Sequence, residues 1–465
     1  LNTKYSDLID QTYYFPQEEF KVEGSELHFH GIDLMELVKE YGAPLKFTYL
    51  PKISENINKA KNWFFDALKK HDYPGTYNYC YCTKSSHFEH VLNEALKNDI
   101  HIETSAAVDI NIVENLKKNG KITNDTYVIC NGFKRNGYIT NIANLINGGH
   151  KNCVPIIDNY EEIDLLSEAI DGKYKIGIRI ASEEEPKFEF YTSRLGIGYK
   201  NIVPFFNKQI KDNEQVELKM LHFFINTGIR DTAYYWNELL KCLRVYINLK
   251  RICPTLDSLN IGGGFPVKNS LHFEYDYKYM VEEIVNQIKI ACDEAEVEPP
   301  HIFTEFGSFT VGESGGAIYE ILYQKQQNDR EKWNMINSSF ITTLPDTWAI
   351  SKKFVMLAVN RWNDEYERVL LGGLTCDSDD YYNSEQNTNA IYLPKYKREK
   401  PLYIGFFNTG AYQDTIGGFG GLQHCLIPQP KQILINRDKD GNLETRLFSE
   451  QQEPQDFLKI LGYEK

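Results

Sequence analysis

Between about residues 76 and 305 the chain passes through eight short β-like runs, at 76–82, 100–103, 126–130, 153–157, 175–181, 218–225, 257–261 and 301–304. Amphipathic segments such as His87–Lys97, Asp109–Lys118 and Glu161–Ile170 separate them. One more helix precedes the first run. Ile53, Ile57, Ala60, Phe64 and Ala67 form an apolar stripe at helical spacing, with Ser54 as a candidate N-cap. Strands that alternate with helices must be joined by crossovers, so they lie parallel and are covered by those helices. An open doubly wound sheet has the same periodicity, but eight repeats in this length favour a closed (β/α)8 TIM-type barrel, placed at 46–330.

After about residue 330 the texture changes. Lys353–Val359, Arg368–Leu371, Leu402–Phe407 and Gln432–Asn436 read as strands. Asp440-Gly441 reads as a hairpin turn between Ile433–Asn436 and Glu444–Leu447. These predict a second, C-terminal β domain at 331–465. Residues 1–45, with β-like pieces at Glu19–Val22 and Leu27–Phe29, are expected to join it. Glu183–Glu185 reads as a solvated loop.

Composition narrows the function. A formal net charge of −14 leaves no basic stripe to neutralise phosphates, which argues against a nucleic-acid partner. No stretch approaches the apolar length of a membrane span, and the first residues lack a basic-then-apolar leader pattern. The nine cysteines are odd in number and lack CxxC spacing, which suits free thiols in a reducing cytoplasm. The 31 Tyr and 26 Phe read as core and interface. The acidic stretch Asp377-Ser378-Asp379-Asp380 lacks the glycine and closing glutamate of an EF-hand, so no metal is expected there.

The chemistry-bearing residues fall at strand ends, where a barrel gathers its catalytic groups. Lys84 closes the run Tyr77-Asn78-Tyr79-Cys80-Tyr81-Cys82-Thr83. A desolvated lysine there loses its proton more easily and can form a Schiff base with a carbonyl. Glu103 ends the second strand, Asn131 the third, and Arg179 lies near the end of the fifth. Gly262-Gly263-Gly264 follow the seventh strand and let backbone N–H groups approach an anion, with Gly307 and Ser308 adding donors from the next loop. Glu305 ends the eighth strand, where a carboxylate can keep a pyridine nitrogen protonated. Cys376 offers a thiol to protonate a carbanion, and Asp377, Asp379 and Asp380 offer carboxylates for a cationic substrate group. Each feature has a bland counterpart: a solvated lysine, a tight turn, structural ion pairs at Glu103, Arg179 and Glu305, a solvated acidic loop. Their order is what points to a pyridoxal phosphate (PLP) enzyme.

In that order the motifs resemble the fold-type III, alanine-racemase-like PLP-dependent decarboxylases of basic amino acids. Tyr81-Cys82-Thr83-Lys84 resembles the family's Tyr-x-x-Lys, whose lysine carries PLP. Gly262–Gly264 resemble its phosphate loop, Glu305-Phe306-Gly307-Ser308 its Glu-Pro-Gly-Arg, and Gly410-Ala411-Tyr412 the segment whose tyrosine reaches the phosphate. Cys376-Asp377-Ser378 resembles the catalytic segment that a partner subunit donates. Val128–Lys134, Cys376–Asp379 and Gly410–Asp414 are similar to the biosynthetic arginine decarboxylase branch. The resemblance implies decarboxylation of L-arginine to agmatine in polyamine synthesis, by a homodimer with shared active sites. It further implies cofactor contacts from Glu103, Arg179, Phe224 and Thr227. Phe224 stands where the family has a PLP-stacking histidine, and His222 lies two residues earlier on the same face. Phe306 and Ser308 replace the family's Pro and Arg. Rival readings are the same chemistry on ornithine, lysine or meso-diaminopimelate, a catalytically inactive regulatory homologue, and an amino-acid racemase. Lys84 and Cys376 together oppose the inactive homologue. Glu305 opposes the racemase, which prefers a weaker electron sink.

Overall fold

The computed structural model describes residues 15–183, 192–384 and 390–463. Glu184 and Glu185 of the expected solvated loop lie outside the described residues. The chain divides into two compact units. One comprises 53–266 and 275–310, and the other 1–52, 267–274 and 311–465.

The first unit is the expected barrel. Its strands are β1 (Tyr77–Cys82), β2 (His101–Thr104), β3 (Val128–Cys130), β4 (Cys153–Ile157), β5 (Tyr174–Ala181), β6 (Val216–Phe223), β7 (Ser258–Asn260) and β8 (His301–Phe306). Each pairs in parallel with the next, and β8 returns to β1 with Glu305 opposite Cys80, so the sheet closes. Cys80, Ile129, Val154, Ile156, Met220 and Phe303 pack together as an apolar cluster contributed by five strands. Strand alternation then puts the residue two positions further on the same face. Cys80 leads to Cys82, Ile129 to Asn131, Met220 to His222 and Phe303 to Glu305. A polar layer therefore sits one step above the apolar one, at the C-terminal strand ends.

The helix before β1 spans Pro51–Lys70 and fully buries the stripe Ile53, Ile57, Ala60, Phe64 and Ala67. It begins at Pro51, not after Ser54, because proline's fixed φ suits the first helical position. Ser54 is inside the helix, and its hydroxyl donates to Glu94 Oε1 at 2.5 Å. The helix expected from Asp109 starts at Ala107. Asp109 is its third residue and accepts hydrogen bonds from the Ser105 and Ala106 N–H groups at 2.8 and 3.0 Å.

The second unit is a β domain. Strand Leu45–Tyr49 pairs antiparallel with Gly315–Gln326 and parallel with Lys431–Arg437. Gly315–Gln326 also pairs with Tyr403–Phe407, and Lys431–Arg437 with Leu443–Ser449. A three-stranded sheet of Phe20–Glu23, Glu26–Phe29 and Ile32–Asp33 packs on the same core, which includes Phe20, Phe29, Phe47, Phe407 and Trp362. The division falls near 52 and 310, whereas the sequence reading set it at 45 and 330. Strands Leu45–Tyr49 and Gly315–Gln326 cause the shift, because their ladder partners lie in the β unit. The Asp440-Gly441 turn forms as expected, with Arg437 opposite Leu443. Asp438 Oδ1 holds it by accepting the Asp440 and Asn442 N–H groups at 2.9 and 2.8 Å. Among the described residues no helix is long and apolar enough to cross a membrane.

Candidate active site

The polar layer of the barrel centres on two buried carboxylates, Glu103 from β2 and Glu305 from β8. Asn131, just beyond β3, bridges them. Its Nδ2 donates to Glu103 Oε1 at 2.9 Å and to Glu305 Oε1 and Oε2 at 2.9 and 3.0 Å. Asn260 of β7 donates to Glu305 Oε1 at 2.7 Å, while its own Oδ1 accepts the Gly262 N–H at 2.9 Å. His222 Nε2 lies 3.0 Å from Glu305 Oε2, and both side chains are buried. Cys82 donates its thiol to Glu103 Oε2.

These partners drive the two acids apart. Burial pushes the Glu305 pKa up, but His222, Lys84 and the Asn131 amide outweigh it and bring the pKa down to about 2. Glu103 goes the other way. Burial raises its pKa, the Glu305 charge adds to the rise, and Lys84 only partly opposes it. The two acids thus differ in character: Glu305 is held firmly ionised, while Glu103 binds a proton more tightly than a free carboxyl does.

Lys84 sits in the short turn Thr83–Ser85 that follows β1. Its Nζ is 3.8 Å from Glu103 Oε1 and its side chain is 48% exposed. The ammonium is therefore matched to a carboxylate and open to solvent, the solvated alternative of the two readings of a strand-end lysine. Arg179 from β5 places its guanidinium carbon 5.9 Å from the ring centre of half-buried Phe224, which follows β6.

The glycine loop makes a tight cradle. Gly262 and Gly264 have φ of +69° and +111°. A Cβ at Gly263 would stand 2.2 Å from the Glu305 carbonyl oxygen, and one at Gly264 2.7 Å from Gly228 Cα. The loops after β6 and β7 thus interlock, tied by the Ile229 N–H donating to the Gly264 carbonyl at 2.9 Å. Beside them Thr227 Oγ1 is buried without a hydrogen-bond partner. Gly307 closes in from β8: a Cβ there would meet Cys82 Cβ at 3.1 Å and Ser85 Cβ at 3.0 Å. Ser308 next to it is half-buried.

The remaining candidates belong to the β unit. Cys376 is exposed, with its Sγ 3.7 Å from Cys425 Sγ. His424 Nε2 lies 3.3 Å from Asp377 Oδ2, and Asp379 is exposed. Asp380 is not available to a ligand, contrary to expectation. It is buried, and its Oδ1 accepts the Phe340 N–H at 2.8 Å. Its Oδ2 accepts the Thr375 N–H and hydroxyl at 3.2 and 2.7 Å. Gly373 makes room for it, since a Cβ there would lie 2.1 Å from Asp380 Oδ2. Tyr412 is half-buried in the left-handed region at φ +69°, heading the short helix Gln413–Gly417.

Asn260 was missed in the sequence, and Asn131 and His222 were noticed without a partner. The available signal was a polar residue inside an apolar strand run, as in Leu259-Asn260-Ile261.

Residues 56–312 match the family described as pyridoxal-dependent decarboxylase, pyridoxal binding domain. A biosynthetic arginine decarboxylase 2 from Synechocystis sp. is 21% identical over 84% of this chain and 79% of its own length. Among solved structures, the biosynthetic arginine decarboxylase from Campylobacter jejuni superposes with a TM-score of 0.81 at 19% identity, covering 99% of this chain and 91% of that one. A diaminopimelate decarboxylase from M. jannaschii in complex with L-lysine has a TM-score of 0.78 at 15% identity, covering 95% and 97%.

Proposed function

The chain belongs to the pyridoxal-dependent decarboxylase family, and we propose that it converts L-arginine to agmatine and CO2, a step of polyamine synthesis, with PLP held through Lys84. The observation that carries the reaction class is Glu305, a buried carboxylate kept ionised by His222, Asn131 and Asn260 at the barrel mouth. When bound, the protonated pyridinium ring supplies an electron sink for the pair left behind by CO2.

The residues present fit that cofactor. The glycine loop packs closely on the loop after β6 and on the end of β8, and the buried Thr227 hydroxyl beside it lacks a protein partner, which leaves it free to meet a phosphate. Gly262, Gly263, Gly264, Thr227, Gly307 and Ser308 would hold the phosphate, and Arg179 and Phe224 would flank the ring. Glu305 would keep the ring nitrogen of a bound cofactor protonated, because its own partners hold it ionised. Glu103 orients the Lys84 ammonium and accepts its proton when the amine must act as a nucleophile. The raised pKa of Glu103 favours that transfer.

Cys376 and Tyr412 are assigned to a homodimer in which one chain completes the barrel site of the other. Cys376 donates the proton that replaces CO2, and Tyr412 adds a phosphate contact. Asp379 pairs with the guanidinium, whose planar fork matches a carboxylate, and Asp377 stands beside it. Asp380 is left out because its oxygens are already bonded. Arginine is favoured because relatives named for that substrate align along most of the chain. The nine cysteines, all free, support a reducing, cytoplasmic setting.

The deciding experiment measures CO2 release from arginine, ornithine, lysine and meso-diaminopimelate by PLP-loaded protein. Highest kcat/KM on arginine is expected. Preference for another of the four would replace the substrate, and no release from any of them would remove the reaction class.

A further inference from the structure

Seven of the nine cysteines are buried, and the two exposed ones, Cys376 and Cys425, are neighbours. Their sulfurs lie 3.7 Å apart although the residues are 49 positions apart in the chain. A disulfide needs about 2.05 Å between sulfurs, so a shift of under about 2 Å joins them. A second contact holds the same two segments together: His424, next to Cys425, is 3.3 Å from the Asp377 carboxylate, next to Cys376. The Cys425 side has the means to shift. Its turn is closed by the Leu426 N–H donating to the Gln423 carbonyl at 2.9 Å, and Cys425 and Leu426 both occupy φ +53°, which non-glycine residues rarely adopt. Gly417, Gly418, Gly420 and Gly421 precede the turn.

The contrast within the molecule is Cys130 and Cys153. Their sulfurs are 3.6 Å apart on adjacent strands β3 and β4, but both are buried in the barrel, where no oxidant reaches them. Proximity is common to the two pairs. Access distinguishes them.

We propose that Cys376 and Cys425 form a reversible redox pair whose disulfide withdraws the Cys376 thiol and stops turnover, an inference that rests on the assignment of Cys376 as proton donor. The oxidant is a low-molecular-weight disulfide. One thiolate attacks it, forming a mixed disulfide and expelling one thiolate. The second cysteine then attacks the mixed disulfide, forms the Cys376–Cys425 bond and expels the other thiolate. The protein gives up two protons and two electrons, the oxidant is reduced to two thiols, and a small dithiol reverses the exchange. Transient disulfides of this kind serve as sensors in otherwise reducing compartments.

The test treats holoenzyme with oxidised glutathione and follows turnover, intact mass and the linkage map. Wild type should lose two hydrogens, retain no glutathione, yield a linked Cys376–Cys425 peptide and lose turnover, all restored by dithiothreitol. Cys130 and Cys153 should stay reduced. Cys425→Ser should keep basal turnover but hold glutathione on Cys376, because nothing resolves the adduct. Absence of the linked peptide in wild type, where Cys425→Ser carries that adduct, overturns the pairing. A linked peptide with turnover unchanged overturns the switch. Full turnover of reduced Cys376→Ala would instead remove Cys376 from the reaction, and the linkage map reads independently of that result.

Discussion

His222 Nε2 stands 3.0 Å from Glu305 Oε2 inside the barrel, so the carboxylate at the heart of the site is ionised by a neighbour on β6. The pKa of Glu305 falls from 4.5 to about 2, which ties folding to pH. A depressed carboxylate pKa stabilises the fold above the unfolded value and loses that contribution as pH falls toward the folded value. In cofactor-free protein, Glu305→Gln should cost about 3 kcal/mol near neutral pH, and the difference from wild type should shrink between about pH 4.5 and 2. Urea denaturation of both proteins across that range checks it. A difference that does not vary with pH would assign the loss to packing.

Glu103 has the opposite sign. Its pKa is raised in the fold, so its ionisation opposes folding once pH exceeds the unfolded value. Glu103→Gln should therefore leave cofactor-free protein as stable as wild type at neutral pH, or more so. Asn131→Asp should do the reverse. It replaces an amide that donates to both acids with a third carboxylate, at a cost of about 2–4 kcal/mol. Thermal melts of the two variants should fall on opposite sides of wild type. A Glu103→Gln melt as low as that of Asn131→Asp would contradict the assignment.

Borohydride reduction of PLP-loaded protein should fix the cofactor to the peptide containing Lys84. Lys84→Ala should bind PLP without covalent label. Label on another lysine would move the site.

Asp379 and Asp380 should separate function from stability. Asp379→Asn removes an exposed carboxylate and should lower kcat/KM for arginine roughly tenfold to a few hundredfold, the value of about 1.5–3 kcal/mol for a lost charge-assisted pair, with the melt unchanged. Asp380→Asn should lower the melt instead, because one oxygen that now accepts hydrogen bonds becomes an amide that cannot. Equal effects of the two substitutions on kcat/KM at unchanged stability would restore Asp380 to the substrate set.

Mixing Lys84→Ala and Cys376→Ala chains should recover up to about a quarter of wild-type turnover. Random pairing makes half the dimers mixed, and each mixed dimer has one intact site. No recovery after verified subunit exchange would mean that each chain completes its own site.

The barrel was legible because each of its strands is a short apolar run bounded by amphipathic segments, and that pattern depends on nothing distant. Strand Gly315–Gln326 went unread because it opens on two glycines, residues that weaken a strand pattern. The structure supplies the reason at Gly316, where a Cβ would lie 2.3 Å from the Phe47 ring. Leu45–Tyr49 also went unread, and its Lys46, on the face opposite Leu45, Phe47 and Tyr49, is buried with Asp414 and the Thr343 carbonyl as partners. In the site, strand ends located Lys84, Glu103 and Glu305. The partners that set their charge were not visible, because Asn131, His222 and Asn260 meet Glu305 across strands distant in sequence. Three neighbouring aspartates looked alike until Gly373 and the Phe340 N–H singled out Asp380.

Strand Leu45–Tyr49 leaves the ribosome well before its two ladder partners, which begin at Gly315 and Lys431. Until those partners are made both its edges stand open, and an unpaired apolar edge invites the wrong neighbour. The barrel follows a similar calendar, since β1 waits for β8 before the sheet can close. Neither unit is finished before its late strands are made, and the hairpin Lys431–Ser449 is the segment whose arrival decides whether Leu45–Tyr49 has been kept in reserve or lost to aggregation.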